Sequence, residues 1–159
     1  MAADRTETEA ERADRRWNET LQEVRVAQTG AQILFGFLLS VAFMPAFHGL
    51  AAFDRTLYVV TVTLGALATG TLIAPVAYHR MLAGQHLKPQ LVDAAGHLVS
   101  VGIVLLALTV TSAVLLLLRV ATAHWIAWPL TGFVTGWFVI CWLLLPFLLL
   151  RRRGKNPPR

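Results

Sequence analysis

Charge is scarce in this chain, and acid is confined to one end of it. Only 14% of the 159 residues are charged, where a soluble domain carries about a quarter. Seven of the nine acids (Asp4, Glu7, Glu9, Glu11, Asp14, Glu19 and Glu23) precede Gly30; only Asp54 and Asp93 follow. Cysteine is limited to Cys141. That excludes an intrachain disulfide, and a thiol inside an apolar segment reads as structural rather than reactive. No Ser-His-acid or Cys-His set has a recognisable spacing, and there is no glycine-rich phosphate loop. The expectation is a non-enzymatic chain with no catalytic residue, no cofactor and no resident metal. The first residues mix acids and arginines and lack an apolar core, so they read as no signal peptide.

What is abundant is apolar sequence: 56% of residues are hydrophobic, and mean hydropathy is +0.59. The apolar residues fall into four runs, about 31–53, 57–78, 98–118 and 125–150, each long enough to cross a bilayer at roughly 20 residues per span. The third, "LVSVGIVLLALTVTSAVLLLL", has only Ser and Thr as polar residues. Lysine and arginine orient the spans. Twelve lie before span one, between spans two and three, or after span four; only Arg55 and Arg119 lie on the other side. The positive-inside rule then places both termini in the cytoplasm of a cell whose inner membrane holds the chain. Phe53, Tyr58, Trp125 and Trp128 form an outer aromatic belt, and Tyr78 an inner one. Short links, "DR" and "VATAH", make spans one and two, and three and four, antiparallel neighbours. The fold class expected is an all-α, four-helix, up-and-down membrane bundle.

Residues 1–29 read as a cytoplasmic amphipathic helix, 30–150 as the bundle and 151–159 as a basic tail. Thr6 with Glu9, and Thr8 with Glu11, fit the capping-box pattern that starts a helix. Trp17, Leu21, Val24, Gln28, Ala31 and Phe35 make one helical stripe that is apolar except at Gln28. With no proline before span one, a single helix is expected from near Glu11 to Phe35. The stripe Trp17, Leu21, Val24 is too apolar for water and should dock on a partner, a second copy or the lipid surface.

The runs "RWNETLQEVRVAQTGAQILFGFLL" and "APVAYHR" resemble the signatures of a family of small bacterial four-span membrane proteins classed as a domain of unknown function. The resemblance covers roughly residues 12–118. It implies a four-helix membrane fold and no established activity.

The polar residues near the cytoplasmic interface are the candidate site. Gln28, Gln32, Tyr78, His79, Arg80, Asp93 and His97 should come to one level as a collar. Buried amides must find partners, since an unpaired polar group in lipid costs several kcal/mol. The collar reads either as a hydrogen-bonded ring that fixes helix register or as a polar vestibule with titratable His79 and His97. A metal site from Asp93, His97, His79 and His86 is the weaker form, because glycines interrupt the linker that holds three of them. Small residues at four-residue spacing mark close helix packing: Gly36 and Ser40 in span one, Ala66, Gly70 and Ala74 in span two, and Gly132 and Gly136 in span four. They serve packing within the chain or between chains. The function expected is a protein-interaction or scaffold element, with membrane lipids and either a second copy or another membrane protein as partners, and no nucleic acid. A small ion or proton pathway through His48 and His79 or His97 is the alternative. An exchanger of cations for protons, however, needs an ionisable group, most often a carboxylate, near the membrane midplane, and Asp54 and Asp93 sit at opposite interfaces.

Overall fold

The computed structural model describes residues 8–82, 88–122, 124–145 and 148. They form five helices: α1 (Glu9–Val41), the short α2 (Pro45–His48), α3 (Ala52–Leu82), α4 (Lys88–Ala121) and α5 (His124–Val139), which runs on as a π-turn over Ile140–Leu144. Four of them contain stretches long and apolar enough to cross a membrane: Val24–Val41, Ala52–Tyr78, Ala95–Ala121 and Trp125–Trp142. The chain is a helical membrane protein whose spanning helices pack on one another. The largest interface joins α3 and α4; α1 lies against both, and α5 packs on α4.

The first helix runs unbroken from solvent-type to lipid-type sequence, as expected. Its opening bond joins the Arg12 amide to the Thr8 carbonyl at 3.0 Å, which puts Thr8 in the capping position. Gly30 sits in its interior with open space around it. One glycine costs ~1 kcal/mol there, too little to interrupt a helix of 33 residues. At 1.5 Å per residue the helix is about 50 Å long, against ~30 Å for a bilayer core. Its charged half therefore reaches beyond the apolar layer if α1 stands upright in it.

The helix ends at Val41, well short of Phe53. The apolar composition continues past that point, but Pro45 cannot continue a helix. Instead it opens α2 at the first helical position, with Met44 held extended before it (φ −80°, ψ 141°). The Phe43 and Met44 amides close the end by bonding Ser40 and Val41 carbonyls, both at 3.1 Å. The Tyr58 hydroxyl donates to the Leu38 carbonyl at 2.8 Å. Leu38 is one of the last four residues of α1, whose carbonyls lack helical donors, so a side chain from α3 supplies one.

Lipid tails are as apolar as leucine, so close packing and hydrogen bonds hold such helices together, not hydrophobicity. The contacts follow that rule. Val24, Ala31, Ala68, Leu72, Ala95 and Ala127 are all at most 2% exposed. Thr61 and Thr109, both fully buried, satisfy their hydroxyls on the Leu57 and Leu105 carbonyls of their own helices at 2.7 and 2.8 Å. Gly65 lies where α1, α3 and α4 meet: a Cβ there would stand 3.1 Å from Phe35, and 3.5 Å from Leu38 and Thr109. Gly102 lets α4 approach Leu72 more closely still, with 2.7 Å left for a Cβ.

The small-residue stripes expected at helix contacts lie elsewhere. A Cβ on Gly36, Gly70, Gly132 or Gly136 would meet nothing within 4 Å. Ser40 and Ala66 are exposed and Ala74 is half-buried. Packing within the chain uses Gly65 and Gly102, which belong to no repeat. A four-residue spacing shows that a helix can be approached, but not which face its neighbours take.

Candidate functional site

The polar seam on α1 divides into an inward and an outward part. Gln28 points inward. It is half-buried between Val24 and Ala31, and its Nε2 donates to the Leu72 carbonyl of α3 at 2.6 Å. The receiving turn explains the amide. Pro75, fully buried, has no N–H and leaves the Thr71 carbonyl without its helical donor. Gln28 donates to the adjoining carbonyl, bracing α3 where its own ladder is interrupted. The same turn is pressed from the other side by Gly102. Three helices thus meet at Leu72, near the end where most arginines and lysines fall.

The apolar stripe keeps its phase through this node. Val24 is 1% exposed and Ala31 2%. Val24 was expected to dock on a partner, a second copy or the lipid surface. It docks on its own chain instead, because the stripe that begins in the charged half of α1 is the one that faces α3 and α4. The side chains of Trp17 and Leu21 lie outside the described residues.

Gln32 points outward. It is exposed, and its amide has no hydrogen-bond partner among the described residues. Arg25, Thr29, Gln32, Gly36 and Ser40 are all exposed. At 100° per residue they fall within about 80° of the helix circumference, beside the buried stripe. Thr29 and Ser40 bond the Arg25 and Phe37 carbonyls at 2.9 and 2.7 Å. That leaves the Gln32 amide and the Arg25 guanidinium as the uncommitted polar groups of this face, and Gln32 is the one inside the apolar stretch past Gly30.

Of the other expected collar residues, Tyr78 is 42% exposed and His97 is exposed. The side chains of His79, Arg80 and Asp93 lie outside the described residues, as does His86. No group of three potential metal ligands occurs among the described residues. His48 sits in α2 at the opposite end, exposed, edge-on to the Phe47 ring at 6.3 Å.

That opposite end carries a feature the sequence reading passed over. Asp54, 4% exposed in the first turn of α3, accepts from Nε of Arg119, in the last turn of α4, at 2.5 Å. The guanidinium also lies 4.4 Å from the centre of the Phe53 ring. Each charge suits the end of the helix it occupies, acid at the N-terminus and base at the C-terminus. Phe47 packs edge-on against Tyr58 at 4.9 Å beside it.

The two glutamines predict different outcomes. Gln28→Leu leaves the Leu72 carbonyl without its side-chain donor and should lower thermal stability in detergent by about 1 kcal/mol. Gln32→Leu should leave the stability of the single chain unchanged. Circular-dichroism melts of both variants check this, and equal midpoints would remove the bracing role from Gln28.

No curated protein and no solved structure matches the chain. A family profile matches residues 6–146 instead, so the chain belongs to the family of unknown function DUF6328.

Proposed function

We propose that this is a non-enzymatic, multi-pass protein of the inner membrane that works by binding another membrane helix through the outward face of α1. The observation that carries the reading is Gln32. An exposed amide at the level of a membrane-crossing stretch is costly in lipid. A second helix would satisfy it, and Gly36 and Ser40 on the same face would let the backbones approach. A second copy is the simplest occupant. Two-fold symmetry would bring each Gln32 to its twin, and an amide both donates and accepts. The charged half of α1 would extend that contact outside the bilayer. Val24, Ala31, Leu72 and Pro75 are buried where α1, α3 and α4 meet, and this apolar packing supports the reading over an ion pathway.

The test is cross-linking in native membranes, after Cys141→Ser. Gly36→Cys should form a disulfide-linked dimer under mild oxidation. Gly70→Cys, on an exposed face of α3, should not. Adding Gln32→Leu to Gly36→Cys should weaken the cross-link several-fold. A chain that stays monomeric at Gly36, or cross-links equally at Gly70, would end the second-copy reading.

The orientation that goes with this proposal has both termini in the cytoplasm. Thr122→Cys, at an exposed turn, should react with an impermeant maleimide added to sealed cells, while Gln85→Cys should not. The reverse pattern would invert the topology. Asp54 is a poor labelling position because its side chain is buried and paired.

A further inference from the structure

The connection between α1 and α3, residues 42–51, lies at the end of the bundle that holds the Asp54–Arg119 pair. It turns two large apolar side chains outward: Phe43 is 88% exposed and Met44 52%. Phe47 takes the opposite course. It is half-buried, edge-on to the Tyr58 ring at 4.9 Å, with the Arg55 guanidinium 5.9 Å from its centre. Tyr58, expected among the aromatics at the membrane surface, is buried and gives its hydroxyl to α1.

Length places this connection at the boundary of a bilayer. The apolar stretches Ala52–Tyr78 and Ala95–Ala121 are each 27 residues long, about 40 Å at 1.5 Å per residue. That exceeds the ~30 Å hydrocarbon core and matches a bilayer with its headgroup layers, ~40–45 Å. Upright in the bilayer, Ala52 therefore stands in a headgroup layer. The bond from Tyr58 to Leu38 ties the end of α1 to the first turns of α3, which sets Phe43 and Met44 at a similar height. Composition and backbone suit that depth. No Asp, Glu, Lys or Arg lies between Ser40 and Asp54, and Asp54 is buried and paired. The Phe43, Met44, Phe47, Gly49 and Leu50 amides each bond the carbonyl three residues back, at 3.0 to 3.2 Å, and Pro45 has no N–H to satisfy. Such internal pairing lets a connection sit at the edge of lipid, where water is scarce.

We infer that this connection is an interfacial anchor, with Phe43 and Met44 inserted among phospholipids of the adjoining leaflet where headgroups meet acyl chains. Phenylalanine is used at that boundary by helices that lie on membranes, and the flexible methionine thioether fills irregular gaps. Neither side chain is charged, so the partner is the apolar edge of the leaflet and not a particular headgroup. The anchor sets the height at which α1 ends.

The test measures depth. With Trp17, Trp125, Trp128, Trp137 and Trp142 replaced by Phe, Phe43→Trp is reconstituted in phosphatidylcholine vesicles whose acyl chains carry bromine either near the headgroup or near the methyl end. The shallow bromines should quench its fluorescence several-fold more than the deep ones. Leu67→Trp in the same background, exposed near the middle of its span, should show the reverse order. Acrylamide in the water should quench Phe43→Trp several-fold less than free N-acetyltryptophanamide. A second measurement keeps the native tryptophans. A nitroxide on Phe43→Cys, in a chain with Cys141→Ser, should be relaxed more by oxygen than by a water-soluble nickel chelate. Acrylamide quenching equal to that of the free indole would put the connection in water and overturn the anchor. Protection from both acrylamide and bromine would overturn it too, because protein would then cover Phe43. So would a depth order matching that of Leu67→Trp.

Discussion

Gly102→Val should lower the stability of the bundle by about 3 kcal/mol, at the upper end of what overpacking costs a well-filled interior. The position allows no side chain at all. A Cβ there would lie 2.7 Å from Leu72 Cδ2, 2.8 Å from Leu72 Cγ and 3.4 Å from the Leu72 backbone nitrogen. Leu72 cannot simply swing away, because it is itself fully buried. Its carbonyl is held by Gln28, and Pro75 stiffens the next turn. Valine would therefore push α4 away from α3, across the largest interface in the molecule. Gly70→Val is the control. It lies on α3 in open space, and replacing a helix-interior glycine there should change little. Thermal melts in mild detergent separate the two. Trimming the obstructing side chain supplies a second arm: Gly102→Val with Leu72→Ala should recover part of the loss, since the clash is with Leu72 itself. A Gly102→Val melt that matches Gly70→Val would mean that α3 and α4 do not approach this closely.

The parts of this fold that could be read from sequence are those governed by local rules. The continuous α1 follows from a sequence with two glycines, Gly30 and Gly36, and no proline before Ala42, and from a stripe that holds its phase from Val24 through Gln28 to Ala31. The stop at Val41 was also local, written in Pro45. It was hidden because Ala42, Phe43, Met44 and Phe47 kept the composition apolar, and apolarity reports membrane affinity rather than helix continuity. The packing contacts were less legible. Gly65 and Gly102 are single glycines, and only the arrangement of three helices makes them junctions. The Gly36, Gly70 and Gly132 repeats look better in sequence but face away from the chain's own neighbours. Gln28 and Gln32 posed the same problem. They are one turn apart and chemically identical, and a rotation of 40° decides which braces α3 and which faces outward. Sequence pattern gives the stripe, but tertiary placement gives its edge.

The Asp54–Arg119 pair could have been found, and its removal is the other large effect expected. The up-and-down order makes spans two and three antiparallel, so the start of one stands level with the end of the other. The acid at the first position and the base at the second then become partners. Both are largely buried, with side-chain exposures of 6% and 12%, so solvent screens the pair weakly. Removing one member strands a charge. Asp54→Asn leaves the Arg119 guanidinium with the Phe53 ring but no counter-charge, and Arg119→Met leaves the Asp54 carboxylate against the end of α3. Each should cost about 3 kcal/mol, the low end for breaking a buried pair. The double variant should cost no more than the worse single, because the penalty lies in the abandoned charge rather than in the missing attraction. The measurement is a double-mutant cycle on thermal unfolding in detergent, with helicity checked before heating. If the losses simply add, the two residues act independently and the pair does not join α3 to α4. A strong negative coupling would show that this end of the bundle is locked electrostatically, as the basic end is locked by Gln28, Leu72 and Gly102. The α3–α4 hairpin would then be fastened at both ends, with α1 and α5 packed on it from outside.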